Sequence, residues 1–249
     1  MKAIGVIGYH HTGKTTTVVA LLRVLRSRGF SVSSIKDIHS EAYRADKENS
    51  NSWLHAAAGS DSVFARGLYD TAQIFPHQLS YSDMLNRLNS DFLVIEGLKT
   101  APVPKIVCAE TTGQLDELID DTTIAISGII ANDITEYKGI RVYCLTKELD
   151  ELVDTVVQHA FTALPDCDPE CCSRCGMSCL ELAAAIVQGK ATRQQCQLDM
   201  DNDLSLQVGD QDIVIVPFVQ DILRDLIISF VNNLKGIDPD GDISIRIKR

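Results

Sequence analysis

Gly8-Tyr9-His10-His11-Thr12-Gly13-Lys14-Thr15 decides how this chain folds. The stretch spells G-x-x-x-x-G-K-T, a phosphate-binding loop. Ala3-Ile4-Gly5-Val6-Ile7 before it is a short apolar run of the buried-strand type. Thr15 to Leu25 after it carries apolar residues at helical spacing. Strand, glycine turn and helix in that order form a cradle of backbone N–H groups, and the helix N-terminus adds partial positive charge. Lys14 can reach the β- and γ-phosphates of a nucleotide, and the Thr15 hydroxyl can ligate Mg²⁺. Gly8 and Gly13 permit a turn that a Cβ would block. His10, His11, Thr12 and Thr16 complete the candidate nucleotide-binding set. The two histidines read either as solvent-facing loop residues or as phosphate contacts through a ring N–H.

Working outward, strand and helix alternate. Strands are expected at Ala3–Ile7, Ser31–Lys36, Phe92–Glu96, Lys105–Ala109, Ile124–Ile130 and Val142–Leu145. Helices are expected at Thr15–Arg28, Ser52–Ala58, Ser82–Leu88 and Lys147–Ala163. This predicts an α/β fold, P-loop NTPase-like, with a mostly parallel sheet flanked by helices. Composition changes near Leu164-Pro165-Asp166, where Pro165 restricts the backbone. Three parts are expected: a nucleotide-binding domain over residues 1–164, a cysteine-rich module over 165–199, and a small β-β-α-β unit over 200–249. In the last, Leu204–Val208, Ile213–Val216 and Ile243–Lys248 read as strands and Phe218–Leu234 as a helix. The acidic residues Glu148, Asp150, Glu151 and Asp154 read as a solvated helix face.

The chain has 249 residues, 45% of them hydrophobic, and a net charge of −11. That charge disfavours a nucleic-acid partner. No run of 18 apolar residues occurs and no basic, apolar leader opens the chain, so a membrane is not expected and a cytoplasmic location is.

A second segment, Asp91-Phe92-Leu93-Val94-Ile95-Glu96-Gly97-Leu98-Lys99, is an apolar strand that ends in an acid. An acid at such a strand end can face Mg²⁺ above a phosphate loop, which makes Thr15 and Glu96 the Mg²⁺ candidates and Lys14 and Glu96 the catalytic ones. Further segments join these two: Ile35-Lys36-Asp37-Ile38-His39, Asn51-Ser52-Trp53-Leu54-His55-Ala56-Ala57-Ala58-Gly59 with Asp46 upstream, and Pro102-Val103-Pro104-Lys105-Ile106. In this joint spacing the first 165 residues or so resemble the MobB family, the molybdopterin-guanine dinucleotide biosynthesis protein B. Departures are Asp37 and Ser40 in place of histidines, Asn51 in place of an aspartate, and Asn49-Ser50 in place of Gly-Lys.

The resemblance implies binding of GTP and Mg²⁺, weak GTP hydrolysis and a homodimer. It also implies service to a partner enzyme that joins GMP to molybdopterin, or to a client molybdenum or tungsten enzyme. An Asn-Lys-x-Asp guanine motif is missing; Thr146 to Asp150 has one residue too many. Asn132-Asp133 can offer a carboxylate to the guanine edge, or be simply a turn. His39 and His55 read as flanking the ligand or as half-buried structural histidines. A metallocentre assembly factor and a purely structural adaptor are the alternative functions.

Six of the eight cysteines fall in one window. Cys172, Cys175, Cys179 and Cys196 give C-x₂-C-x₃-C and a fourth thiol beyond a short helix, Leu180–Gln188. Cys167 and Cys171 are the substitutes. Four thiolates suit a 4Fe–4S cluster or a tetrahedral zinc. The pattern resembles the small 4Fe–4S domain of corrinoid iron–sulfur proteins and Rnf-type electron carriers, with one residue fewer between the second and third cysteine. Cys108 and Cys144 read as core residues.

Overall fold

The computed structural model describes residues 1–167, 172, 175–196, 198, 206–208, 211–213, 217–234, 243 and 245. Strand β1 (Lys2–Gly8) leads through the phosphate loop into helix α1 (Lys14–Ser27), and the chain returns in β2 (Val32–Lys36). Helix α2 (Asn51–Ala57), the hairpin β3 (Val63–Arg66) and β4 (Thr71–Ile74), and helix α3 (Tyr81–Leu85) come before β5 (Phe92–Glu96). Then follow β6 (Lys105–Cys108), α4 (Thr112–Leu118), β7 (Thr123–Ser127), the short pair β8 (Glu136–Tyr137) and β9 (Ile140–Arg141), α5 (Leu149–His159), β10 (Phe161–Thr162) and α6 (Cys179–Val187).

The sheet order is β2-β5-β1-β6-β7, all parallel, and β10 adds antiparallel to the start of β1. β1 lies at the centre, and β5 and β6 are buried along their whole length. Such strands read as continuous apolar runs because both faces are covered. On one face Val18, Leu21 and Leu25 of α1 and Leu152, Val153 and Val156 of α5 pack against Ile4, Val6 and Val94. On the other, Leu115 and Leu118 of α4 pack against Ile7, Val107 and Ile126. The α/β architecture and the parallel sheet are as expected.

Several element bounds are corrected. The strand expected at Ile124–Ile130 stops at Ser127, because Gly128 turns with φ 93° into a 3₁₀ turn over Ile129–Asn132. The strand expected at Val142–Leu145 is a single parallel bridge from Val142 to Ile126. Beyond it the chain turns at Cys144, whose carbonyl accepts from the N–H groups of Lys147 and Glu148. The helix expected at Lys147–Ala163 ends at His159, and Phe161–Thr162 leave it to join the sheet. The expected helix Ser82–Leu88 is Tyr81–Leu85, started by a Ser80–Asp83 capping box. Hairpin β3–β4 and helix α4 were not expected; both are short. The acidic face of α5 is exposed, as expected, and carries ion pairs: Asp150 and Asp154 hold Arg28, which caps α1, at 3.2 and 2.5 Å, and Glu148 and Glu151 hold Arg141.

The contacts group Met1–Cys196 as one compact unit and Gln197–Arg249 as another. In the first, Leu182 and Ala183 of α6 pack with Phe161 and Leu164, and Arg193 donates to the carbonyls of Thr162 and Ala163 at 2.9 and 3.3 Å. The cysteine segment thus packs against the β10 end of the chain. In the second unit, β11 (Leu206–Val208) and β12 (Gln211–Ile213) form an antiparallel pair and α7 (Pro217–Val231) follows. Of the features expected here, residues 204–205, 214–216, the turn at Gly209-Asp210 and most of Ile243–Lys248 lie outside the described residues. Among the described residues no helix is long and apolar enough to cross a membrane.

Candidate functional site

The phosphate loop is shaped by two glycines inside it and one beyond it. A Cβ on Gly8 would stand 2.2 Å from the carbonyl oxygen of Cys108 on β6. Gly13 has φ 96° and serves as N-cap of α1 without a side chain, so the first turn of the helix opens toward the loop. Gly128, after β7, has φ 93°, and a Cβ there would stand 2.3 Å from the carbonyl oxygen of Thr12. Thr12 is fully buried and its hydroxyl donates to the Tyr9 carbonyl at 3.0 Å, so its side chain serves the loop's own shape. His10, His11 and Thr16 are exposed, His11 with φ 62°. The Lys14 ammonium donates to the Tyr9 carbonyl. Burial lowers its pKa below the ordinary lysine range; Glu96 opposes this, while Lys36 and Lys99 add to it.

Glu96 ends β5 and is 6% exposed. The Thr15 hydroxyl donates to its Oε1 at 2.7 Å, and the Lys36 ammonium donates to the same oxygen at 2.9 Å. Burial alone would push this carboxyl up, but the hydrogen bonds from Lys36 and Thr15 outweigh it and hold the group below the ordinary glutamate range. It is therefore a carboxylate at neutral pH. Thr15 and Glu96 thus present a hydroxyl and a carboxylate oxygen side by side, a donor set that fits a hard divalent cation such as Mg²⁺.

Asn132 and Asp133 close the 3₁₀ turn after β7, where the Asn132 amide donates to the Ile129 carbonyl at 3.0 Å. The same turn meets the phosphate loop, since Ile129 N–H donates to the Thr12 carbonyl at 3.3 Å. His39 lies 2.9 Å from Asp37, the residue that replaces a family histidine. His55 lines a cavity of about 580 Å³ beside hairpin β3–β4. A second cavity, of about 740 Å³, is lined by Lys36, Tyr43, Arg44, Asp46, Trp53 and Phe75 among others. Lys36 is the lining residue of this cavity that also belongs to the Thr15–Glu96 cluster. Sequence reasoning placed Lys36 in a family segment and gave it no role; the signal was its strand-end position, level with Glu96 once β2 and β5 pair.

In the cysteine segment the thiol of Cys167 hydrogen-bonds Cys179, and Cys172 and Cys196 lie near enough to act on it electrostatically. The Cys167 hydrogen bond lowers the Cys179 pKa to about 6, and Cys167 is raised in turn. Cys175 instead points its thiol at the Met177 carbonyl, 3.3 Å away. Cys175, Cys179 and Cys196 all pack against the small cluster of Phe161, Leu164, Leu182 and Ala183. Cys171 lies outside the described residues. Among the described residues no three His, Cys, Asp or Glu side chains already converge on a common metal position. The thiol chemistry fits a thiophilic metal centre. Cys108 is fully buried beneath the loop, 3.4 Å from the Thr17 hydroxyl, and burial pushes its thiol up to about 11.

A central parallel strand, a glycine-rich turn into a helix, and an acid at the end of the neighbouring strand define a P-loop NTPase-like α/β protein. The family model for molybdopterin guanine dinucleotide synthesis protein B, MobB, matches residues 3–131. The chain belongs to the MobB family. It is 27% identical over 254 residues to a Methanocaldococcus jannaschii protein provisionally described as a molybdopterin-guanine dinucleotide biosynthesis adapter protein, with 99% of this chain and 97% of the relative covered. A molybdopterin-guanine dinucleotide biosynthesis adapter protein of Haemophilus influenzae is 34% identical over 131 residues, covering 50% of this chain and 72% of the relative. The crystal structure of Bacillus subtilis MobB superposes with a TM-score of 0.54 at 24% identity, covering 65% of this chain and 99% of that one, a likeness of fold.

Proposed function

We propose that this chain is an adapter in molybdenum or tungsten cofactor maturation that binds Mg²⁺–GTP and hydrolyses it slowly. The observation that carries the reading is the Thr15–Glu96 pair, 2.7 Å apart at the mouth of the phosphate loop. Thr15 and Glu96 hold Mg²⁺, which supplies charge stabilisation to the phosphates. Lys14 leaves the Tyr9 carbonyl for the β- and γ-phosphates, and the backbone N–H groups of residues 8–16 hold their oxygens. His10 and His11 lie beside the phosphates, and Asp133, with Asn132, is the candidate for the guanine edge. The adapter role follows from the names of the two relatives. The partner is the enzyme that joins GMP to molybdopterin, or a client enzyme. The exposed Phe64, Leu68 and Tyr69 of the β3–β4 hairpin support pairing with a second copy.

The test is calorimetry with GTP and Mg²⁺ on the wild type and Lys14→Ala, with steady-state hydrolysis on Glu96→Gln. The reading expects tight binding, weakened in the first variant, and slower turnover at retained fold in the second. Equal affinity in wild type and Lys14→Ala would remove the phosphate-loop assignment.

A second proposal concerns the cysteine segment. Cys172, Cys175, Cys179 and Cys196, with Cys167 and Cys171 as substitutes, hold a 4Fe–4S cluster, with zinc as the alternative occupant. Its support is the packing of Cys175, Cys179 and Cys196 around one small apolar cluster. This makes a nucleotide-driven metallocentre assembly factor the second functional reading. Iron and acid-labile sulfide in anaerobically purified protein would favour the cluster; one zinc per chain without sulfide would favour zinc.

A further inference from the structure

Lys36 is tied into the Thr15–Glu96 cluster on two sides. Its ammonium donates to Glu96 Oε1 at 2.9 Å and to Thr15 Oγ1 at 3.4 Å, while Thr15 donates to the same Glu96 oxygen at 2.7 Å. The three groups form a closed triangle. The cation in it contacts the two oxygens that a divalent metal would need. The backbone fixes this meeting, because Lys36 and Glu96 are register partners on β2 and β5, and the N–H of Asp37 donates to the Glu96 carbonyl at 2.8 Å. The side chains differ in freedom. The Glu96 side chain is 8% exposed and stays where the strand puts it; the Lys36 side chain is 55% exposed and can swing. It also lines the cavity of about 740 Å³, which gives the stem room on leaving the triangle.

We infer that Lys36 is an internal counter-ion that occupies the metal's ligands until the metal arrives, so that Mg²⁺ and Lys36 compete for Thr15 and Glu96. The inference rests on the nucleotide reading above and adds a residue to it. Two effects of opposite sign follow. Without metal, Lys36 neutralises a nearly dry carboxylate that would otherwise repel the phosphates, so nucleotide binds without Mg²⁺. With metal, the ammonium and the divalent ion repel each other across the shared Glu96 oxygen, so metal binding drives Lys36 out toward the cavity. Lys36 thus levels the difference between metal-free and metal-loaded affinity. It is a positioning residue and touches no reacting atom.

The experiment is a double-mutant cycle read by calorimetry, with GDP as the probe, in EDTA and in Mg²⁺. Lys36→Met should weaken GDP binding in EDTA at least tenfold. It should also tighten Mg²⁺ binding to the GDP complex severalfold. Lys36→Gln, which keeps a donor and loses the charge, should shift both in the same directions. In a Glu96→Gln background, Lys36→Met should change neither, because the carboxylate to be neutralised has gone. If the wild type binds GDP with Mg²⁺ but the Lys36 variants lower both affinities by one common factor, or neither, the counter-ion role is overturned and the nucleotide reading stands. If the wild type binds no GDP under either condition, the nucleotide reading fails and takes this inference with it. Far-ultraviolet circular dichroism on each variant separates loss of fold from loss of charge.

Discussion

The phosphate loop and the cysteine segment both announce themselves by spacing, yet the fold treats the two differently. In the loop, spacing and geometry coincide. The motif describes backbone, and backbone position is set by the sheet: β1 delivers Gly8, α1 starts at Lys14, and β5 ends at Glu96. In the cysteine segment the motif describes side chains on a short stretch with little core. There a local turn decides where each thiol points, and it sends Cys175 to the Met177 carbonyl while Cys167 meets Cys179. A pattern tied to a central strand survives folding as written. A pattern of side chains on a loop depends on the turns between them.

This contrast can be broken or sharpened by experiment. The largest effect is expected at Gly8. Gly8→Ala would place a Cβ 2.2 Å from the Cys108 carbonyl, where backbone must shift. Overpacking of this kind should cost about 3 kcal/mol in urea denaturation, and a loss below 1 kcal/mol would show that the loop yields more than its central position implies. Next is Lys14→Ala. Its ammonium should account for about 2 kcal/mol of GTP affinity, measured by calorimetry. In the cysteine segment, helix α6 begins at a capping box, with the Ser178 hydroxyl accepting from Glu181 N–H and Glu181 accepting from Ser178 N–H. Ser178→Ala should therefore cost about 1 kcal/mol of stability. A loss matching that of Gly8→Ala would mean that the segment is as integral to the fold as the loop.

The smallest perturbation leaves the chain unmutated. In metal-free, reduced protein the Cys179 thiol has its pKa depressed to about 6, so its thiolate fraction rises as pH passes upward through that value. Cys108 sits near 11 and stays a buried thiol. Alkylation followed by peptide mapping should show Cys179 labelled at a lower pH than an ordinary thiol and Cys108 unlabelled at neutral pH. Equal labelling of the two would contradict the grouping of Cys167 with Cys179.

Much of the first 165 residues was legible because apolar runs such as Phe92–Ile95 and the glycine turn are local signals. Glu96 was legible for the same reason. Lys36 was not, since its contact with Glu96 exists only through the register of two strands, and residues 60 positions apart carry no mark of that pairing. The acidic residues of α5 are the solvated face they were read as, but their ion pairs were not legible, because Arg28 and Arg141 belong to other elements. Helix α4 was missed because two leucines, Leu115 and Leu118, are its whole buried face.

The close fit of the loop to β6 and β7 also bears on the order in which the chain assembles. Gly8 lies against the Cys108 backbone, Thr12 against Gly128, and Thr17 meets Cys108 across 91 positions of sequence. The Cys108 contacts wait for β6 to dock on β1, and the Gly128 contact waits for β7 to dock on β6. Long-range parallel pairing of this kind forms slowly. The motif is thus encoded near the start of the chain but takes its final shape late, after most of the sheet is made. Acquisition of nucleotide affinity during refolding would then act as a clock for completion of the sheet, lagging behind the signal of helix formation.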